Sequence, residues 1–488
     1  MKIMKREKIL LSLILKPFFL ILFIGLMIAT KAYAQNPDQQ PFFVNKPWKG
    51  DFSGMAERRY IRALVVYSKS FYFLDKAQQR GITYDGLKQF EKFINEKLGN
   101  KKIKVKIIFI PVSRDKLLPG LVEGLGDIAV ANLTVTPERQ KLVDFSDPVL
   151  TGVRELVVSG PSSPKITSLD DLPGKEIHVR KSSSYYESLQ KLNDRFQTEG
   201  KNSVKIVEAN ENLEDEDLLE MLNAGLIPLV VVDSHKAEFW AQIFDKITVH
   251  EDVAVSSEGS IGWAFRKNSP EFKAMVNKFV KQHKAGTTFG NILLKRYLKN
   301  FDHIKNSTSE RELKKFRQTI DLFKKYSGQY QFDYLMVAAQ AYQESQLDQS
   351  KISPAGAVGV MQLLPSTAAD KNINIPDIHE LENNIHAGTK YLRFISDRYF
   401  ADENIDPENK LLLSFAAYNA GPARIAKLRD EAKVQGLDPN QWFRNVEIVA
   451  AKRIGQETVQ YVSNIYKYWI TYSMIVKRGE VLKKIKSK

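Results

Sequence analysis

From Tyr60 onward, short apolar runs alternate with stretches of helical spacing. Ile61 to Tyr67, Val105 to Pro111 and Asp127 to Ala131 read as strands, and Tyr84 to Leu98 and Leu117 to Leu125 as helices. After Ser162–Pro164 the alternation resumes. Glu176 to Val179, Val204 to Val207 and Pro228 to Val232 are predicted strands, with helices over Tyr185 to Asn193 and Leu218 to Ala224. Strands separated by helices argue for an α/β domain with a largely parallel sheet. Two such halves, connected near Gly152–Gly160, predict a hinged, two-lobed domain. From about Glu310 the spacing is helical throughout: Leu313 to Tyr326, Asp333 to Gln346, Asn384 to Phe400, Leu411 to Tyr418 and Glu457 to Met474 repeat apolar residues at i, i+3 and i+4. The expected fold class is therefore multidomain, a two-lobed α/β domain followed by an all-α domain.

The ends of the chain set its compartment. Lys2, Lys5, Arg6 and Lys8 precede an almost wholly apolar stretch from Pro17 to Thr30, and Ala32-Tyr33-Ala34 then gives a small-x-small step before Gln35. That is the layout of a secretory signal peptide over 1–34; a retained membrane anchor is the alternative reading. Residues 35–57 read as a linker, 58–300 as the two-lobed domain and 301–312 as a connector. Residues 313–476 form the helical domain and 477–488 a frayed basic tail.

Composition narrows the chemistry. With 43% hydrophobic and 26% charged residues in 488, the chain has material for two or three globular cores. It has no cysteine, which excludes disulfides, thiolate metal sites, a cysteine nucleophile and a lipid-modified N-terminal cysteine. Seven histidines show no metal-ligand spacing, so neither metal nor cofactor is expected. The net charge of +15 favours polyanionic surroundings. Nucleic acid is the poorest of these, since no zinc-finger or stacking motif accompanies the charge and the export signal points away from it.

Candidate chemistry lies between Tyr342 and Val462. Gln343-Glu344-Ser345 is followed by Gly356-Ala-Val-Gly359-Val-Met361-Gln362, by Ala417-Tyr418-Asn419-Ala-Gly421, and by Glu457-Thr-Val-Gln-Tyr461-Val462. One carboxylate at the end of an apolar helical run, surrounded in sequence by amides and aromatics suited to gripping sugar, points to glycosidic bond cleavage by an acid/base. The C-terminal end of a helix disfavours added negative charge, and apolar neighbours such as Met361 act in the same direction, so Glu344 is expected to carry a raised pKa. Asp348 is the other acid close in sequence.

The front half resembles the amino-acid-type periplasmic solute-binding proteins. The matching stretch runs Gly124-Leu-Gly126-Asp127-Ile-Ala-Val-Ala-Asn-Leu-Thr134-Val-Thr136-Pro137-Glu138-Arg139 and on to Asp144-Phe145-Ser146-Asp147-Pro148. The resemblance implies that Arg139 clamps a ligand carboxylate, that Thr134 supplies hydroxyl and backbone contacts and that Asp233 takes an ammonium. A guanidinium fork matches a carboxylate in two bonds. The turn Lys181-Ser-Ser-Ser184, before a helix, adds backbone N–H groups for an anion. Ala224-Gly225-Leu-Ile-Pro228 departs from that family's usual Gly-x-x-Asp turn.

The helical half, with Asn384-Ile-His-Ala-Gly388-Thr-Lys-Tyr391-Leu392 as a fifth matching stretch, resembles the soluble-lytic-transglycosylase type of lysozyme-like domain. The two domains in this order resemble the membrane-bound lytic transglycosylases. The resemblance implies cleavage of the MurNAc–GlcNAc β-1,4 bond of peptidoglycan with 1,6-anhydro ends, and a front domain that senses an amino acid or muropeptide. Glu344 is then the catalytic group, and Ser345, Met361, Gln362, Tyr418, Asn419 and Tyr461 are substrate contacts. A glycosidase ordinarily uses two carboxylates, but one suffices when the sugar's own C6 hydroxyl attacks C1. Two other readings stay open: a muramidase that hydrolyses the same bond, and a non-catalytic, wall-anchored receptor. The implied location is the periplasm, with peripheral attachment to the outer membrane.

Overall fold

A computed structural model describes residues 46–75, 78–99, 104–297 and 307–486. The signal sequence, residues 35–45 of the expected linker and residues 301–306 of the connector lie outside them.

The front domain is built on one nine-stranded sheet. Its long strands are β1 (Tyr60–Val65), β2 (Lys106–Pro111), β3 (Ile128–Thr134), β4 (Leu150–Ser159), β5 (Glu176–Arg180), β6 (Lys205–Ala209), β7 (Leu229–Asp233) and β8 (Thr248–Arg266). They lie in the order β2-β1-β3-β8-β4-β7-β5-β6, with the short strand Val143–Phe145 beside β8. Within each lobe the outer strands pair in parallel, β1 with β2 and β5 with β6. The middle is antiparallel: β4 and β8 pair with each other through several register shifts. These two strands run from one lobe to the other. Each lobe has its own core, one around Ile61, Phe90, Phe265 and Phe272, the other around Val179, Leu219, Val231 and Trp240.

The expected linker is partly structured. Helix α1 (Phe52–Arg58) is capped by Asp51 and buries Phe52 and Met55. Arg58 and Arg62 both bond Asp127, which is fully buried, and Arg62 also donates to the carbonyl oxygens of Lys46 and Trp48. Residues 46–58 therefore belong to the first lobe, held by a buried carboxylate that requires cationic partners.

The helical domain packs around α4 (Tyr334–Ser345), in which every side chain from Leu335 to Tyr342 is buried. Such a helix is apolar on all sides and is a core element, where the sequence spacing indicated one apolar face. Against it stand α3 (Glu310–Gln329) and α7 (Glu457–Lys486), with α5 (Leu381–Tyr399) and α6 (Pro407–Ala420) completing the core. The segment expected as a frayed tail is helical as far as Lys486, because α7 continues without a stop signal.

Helix α2 (Asp215–Asn223) joins the lobes to the helical domain. Its first turn and N-cap are Glu214-Asp-Glu-Asp217, all buried. Arg114 of the first lobe bonds Glu214 at 2.5 Å and Lys69 bonds Glu220 at 2.5 Å. Lys467 of α7 reaches Asp217 at 2.9 Å, and the backbone N–H and hydroxyl of Ser307 donate to Glu220. The cluster holds the lobes closed on each other and the helical domain against them.

Candidate active site

Glu344 sits in the last turn of α4. Asp333 caps the start of this helix by accepting from the Leu335 and Met336 N–H groups. The chain leaves the far end through two left-handed residues, Gln346 and Leu347. The Glu344 carboxyl accepts the Tyr461 hydroxyl at 2.6 Å. Burial pushes its pKa up to about 7, against the smaller opposing effects of the Tyr461 bond and of Lys351. The raised value expected from sequence is thus present, with desolvation as its main cause. Asp348 faces elsewhere, bonding the N–H and hydroxyl of Ser350.

The neighbouring turn owes its shape to glycine and asparagine. Gly359 has φ +78, and a Cβ there would lie 2.5 Å from the Asn384 amide. Buried Asn384 accepts from the Met361 N–H at 2.8 Å and donates to Val358 and Ile378 oxygens. A Cβ on Gly388 would lie 2.6 Å from the Met361 side chain. Met361 is therefore a core side chain and not a groove wall, and its carbonyl accepts the Tyr418 hydroxyl at 2.8 Å. Ser345, expected as a substrate contact, is instead buried and engaged by the protein: it donates to Val360 O at 2.8 Å and accepts from the Asp348 N–H. Its role is to tie the helix end to the turn. The Gln362 amide N–H₂ is turned inward on the Lys351 and Gly359 oxygens. Tyr418 and exposed Asn419 lie at the end of α6, with Asn419 Oδ1 accepting the Thr458 hydroxyl at 2.7 Å. Glu344, Tyr461 and Tyr418 lie close enough to act on one another electrostatically, and Asn419 follows Tyr418 at the end of α6.

Sequence reasoning missed Gln340. One turn before Glu344 and fully buried, it donates from Nε2 to the Tyr461 hydroxyl oxygen at 3.2 Å. With that oxygen accepting, the hydroxyl proton is directed to Glu344. A glutamine four residues before an acid on an otherwise apolar helix was the available signal.

In the front domain, Arg139 spans the two lobes. It donates to Thr134 O at 3.0 Å on one side and to Ser182 O at 2.9 Å on the other, and pairs with Glu187 at 3.2 Å. Its fork is thus engaged by the protein's own groups in this closed form. Asp233 precedes the helix Ser234–Ala241 without capping it by its side chain. It pairs instead with Lys236 at 3.3 Å and accepts from Asn132 at 2.8 Å, while its Oδ1 is buried with no hydrogen-bond partner among the described residues. Beside these groups a cavity of about 130 Å³ opens between the lobes, walled by Phe71, Val130, Trp240, Ile261, Trp263 and Phe279. Arg139, Thr134 and Asp233 are not in its wall.

Residues 65–300 match the model of bacterial extracellular solute-binding proteins, family 3, and residues 321–440 match the transglycosylase SLT domain. The chain joins a family 3 solute-binding domain to a transglycosylase SLT domain. Among curated relatives, membrane-bound lytic murein transglycosylase F of Desulfosudis oleivorans is 29% identical, covering 84% of this chain and 89% of that protein. The protein of the same name from Shewanella halifaxensis is 27% identical over 86% of each. A solved ancestral amino-acid-binding protein, described as a precursor of cyclohexadienyl dehydratase, is 25% identical with a TM-score of 0.41, covering 50% of this chain and 98% of that one. The transglycosylase domain contains Glu344, and its SLT match takes in the whole turn from Gly356 to Gln362 as well as Tyr418 and Asn419. Tyr461 and the rest of α7 lie beyond the matched segment.

Proposed function

We propose that this protein is a peptidoglycan lytic transglycosylase in which Glu344 alone serves as acid and base. The observation carrying this reading is a carboxyl group raised to about pKa 7 by burial and held by a tyrosine, with no other carboxylate among the described residues acting on it. Protonated Glu344 donates to the glycosidic oxygen between MurNAc and GlcNAc as the bond to C1 breaks. The C6 hydroxyl of the same MurNAc attacks C1, and the Glu344 carboxylate takes up its proton. A 1,6-anhydro ring forms, the acid is regenerated and no water is consumed. Tyr461 holds the carboxyl through both stages. Tyr418 and Asn419 border the saccharide cleft.

The front domain is read as a regulatory receptor for an amino acid or muropeptide, on the strength of the family match and of Arg139 bridging the lobes. Among the described residues no helix is long and apolar enough to cross a membrane. The basic-apolar N-terminal sequence supports export to the periplasm, and the relatives' names support attachment to a membrane.

Product analysis tests the chemistry. Digested sacculi are expected to yield ends lighter by one water than hydrolysed ends, and Glu344→Gln is expected to abolish turnover while retaining sacculus binding. Reducing ends would make the enzyme a muramidase, and undiminished turnover by E344Q would remove Glu344 from the mechanism.

A further inference from the structure

A second cavity, of about 290 Å³, lies between the front domain and the transglycosylase domain. Gln343, Gln460, Tyr461 and Asn464 form the wall on the transglycosylase side, while Tyr67, Lys69 and Leu74 come from the first lobe. The space is far larger than the roughly 30 Å³ occupied by one water. Two of its wall residues adjoin the reaction site. Gln343 immediately precedes Glu344, and Tyr461 holds the Glu344 carboxyl.

The chemistry of the walls is mixed in a particular way. Asn464 Nδ2 bonds Gln343 Oε1 at 3.3 Å, and Gln460 Oε1 accepts from the Leu74 N–H at 2.9 Å. Side-chain amides of this kind offer donors and acceptors together. Lys69, Lys467, Asp217 and Glu220 also line it, but they are paired with one another in the interdomain cluster. Glu457 is exposed, and among the described residues no cation pairs with it. A neutral glycan has no use for such a charge. A peptide does, since its amides need donors and acceptors and a basic side chain on it carries an ammonium group.

We infer that this interdomain cavity is a subsite for the peptide branch of the strand being cut. The inference rests on the proposed reaction, and the substrate's covalent structure supplies the link. The peptide hangs from the lactyl group of MurNAc, the sugar whose C1 reacts, so it must emerge within one sugar ring of Glu344. The wall it meets there is shared by both domains, so occupancy of the subsite bears on their contact as well as on the position of the scissile bond.

The experiment uses the full chain and two substrates, glycan strands bearing tetrapeptide branches and the same strands stripped by an amidase. The wild type is expected to cleave branched strands about tenfold better in kcat/KM, the effect of one charge-assisted hydrogen bond. Asn464→Phe, which fills the cavity, and Glu457→Gln, a surface change that leaves the fold intact, are expected to lose most of that preference at an unchanged rate on stripped strands. Equal cleavage of both substrates by the wild type, or a preference retained by both variants, overturns the subsite and leaves the reaction standing. Cleavage of neither substrate by the wild type overturns the proposed reaction and the subsite with it.

Discussion

Glu344 gathers the physics of this protein into one side chain. Its carboxyl is raised to about 7 because burial disfavours the charged form. The first step needs the protonated acid, so kcat is expected to fall as pH rises through about 7, measured on sacculi across pH 5 to 9. Tyr461 donates to the ionised form and so lowers this pKa. Tyr461→Phe is therefore expected to shift the alkaline limb upward while cutting kcat by roughly tenfold to a hundredfold, the effect of losing a hydrogen bond to a charged group. Gln340→Leu leaves Tyr461 in place but frees its oxygen. It should reproduce part of the kcat loss and of the pH shift with KM unchanged, which a simple packing defect would not do. The same raised pKa has a cost in stability. The native state holds a proton that the unfolded chain releases near pH 4.5, so the contribution of Glu344 falls as pH climbs from about 4.5 to about 7. E344Q is expected to be more stable than wild type at pH 8 by about 1–3 kcal/mol, read from denaturant unfolding.

At the scale of elements, the outer strands of both lobes and the central helices were legible because each faces one environment along its length. Strands β4 and β8 were not. Thr248 to Arg266 passes from one lobe to the other, so its face toward a core changes partway, and the register shifts against β4 erase any simple alternation. The acid was legible because motif and helix end coincide. The roles of Ser345 and Met361 were not, since nothing in their spacing tells a groove wall from a strut behind it. The turn that carries Met361 depends on two missing side chains and one amide. Gly388→Ala places a methyl where the Met361 side chain already lies, and is expected to cost about 1–3 kcal/mol with a matching drop in activity. Thermal unfolding of the variant beside wild type measures it.

At the scale of the molecule, three bodies meet at the first turns of α2. Arg114 is buried there against Glu214, and removing one member of such a pair leaves the other charged and unpaired. Arg114→Met is expected to destabilise the closed lobes by about 3–5 kcal/mol, visible as a larger radius of gyration in solution scattering. Cleavage of stripped strands should change little if the lobes alone respond. Arg444 bonded to Asp115 gives the transglycosylase domain a separate hold on the first lobe.

The placement of Lys467 limits what recombination can do with this protein. Its ammonium ends on Asp217, a residue the receptor half already uses to stay shut. A chimera carrying a foreign receptor would strand that lysine over an unmatched surface, unless an acidic helix start came with the insert. Interchangeable parts would have to be traded as a lock together with its key.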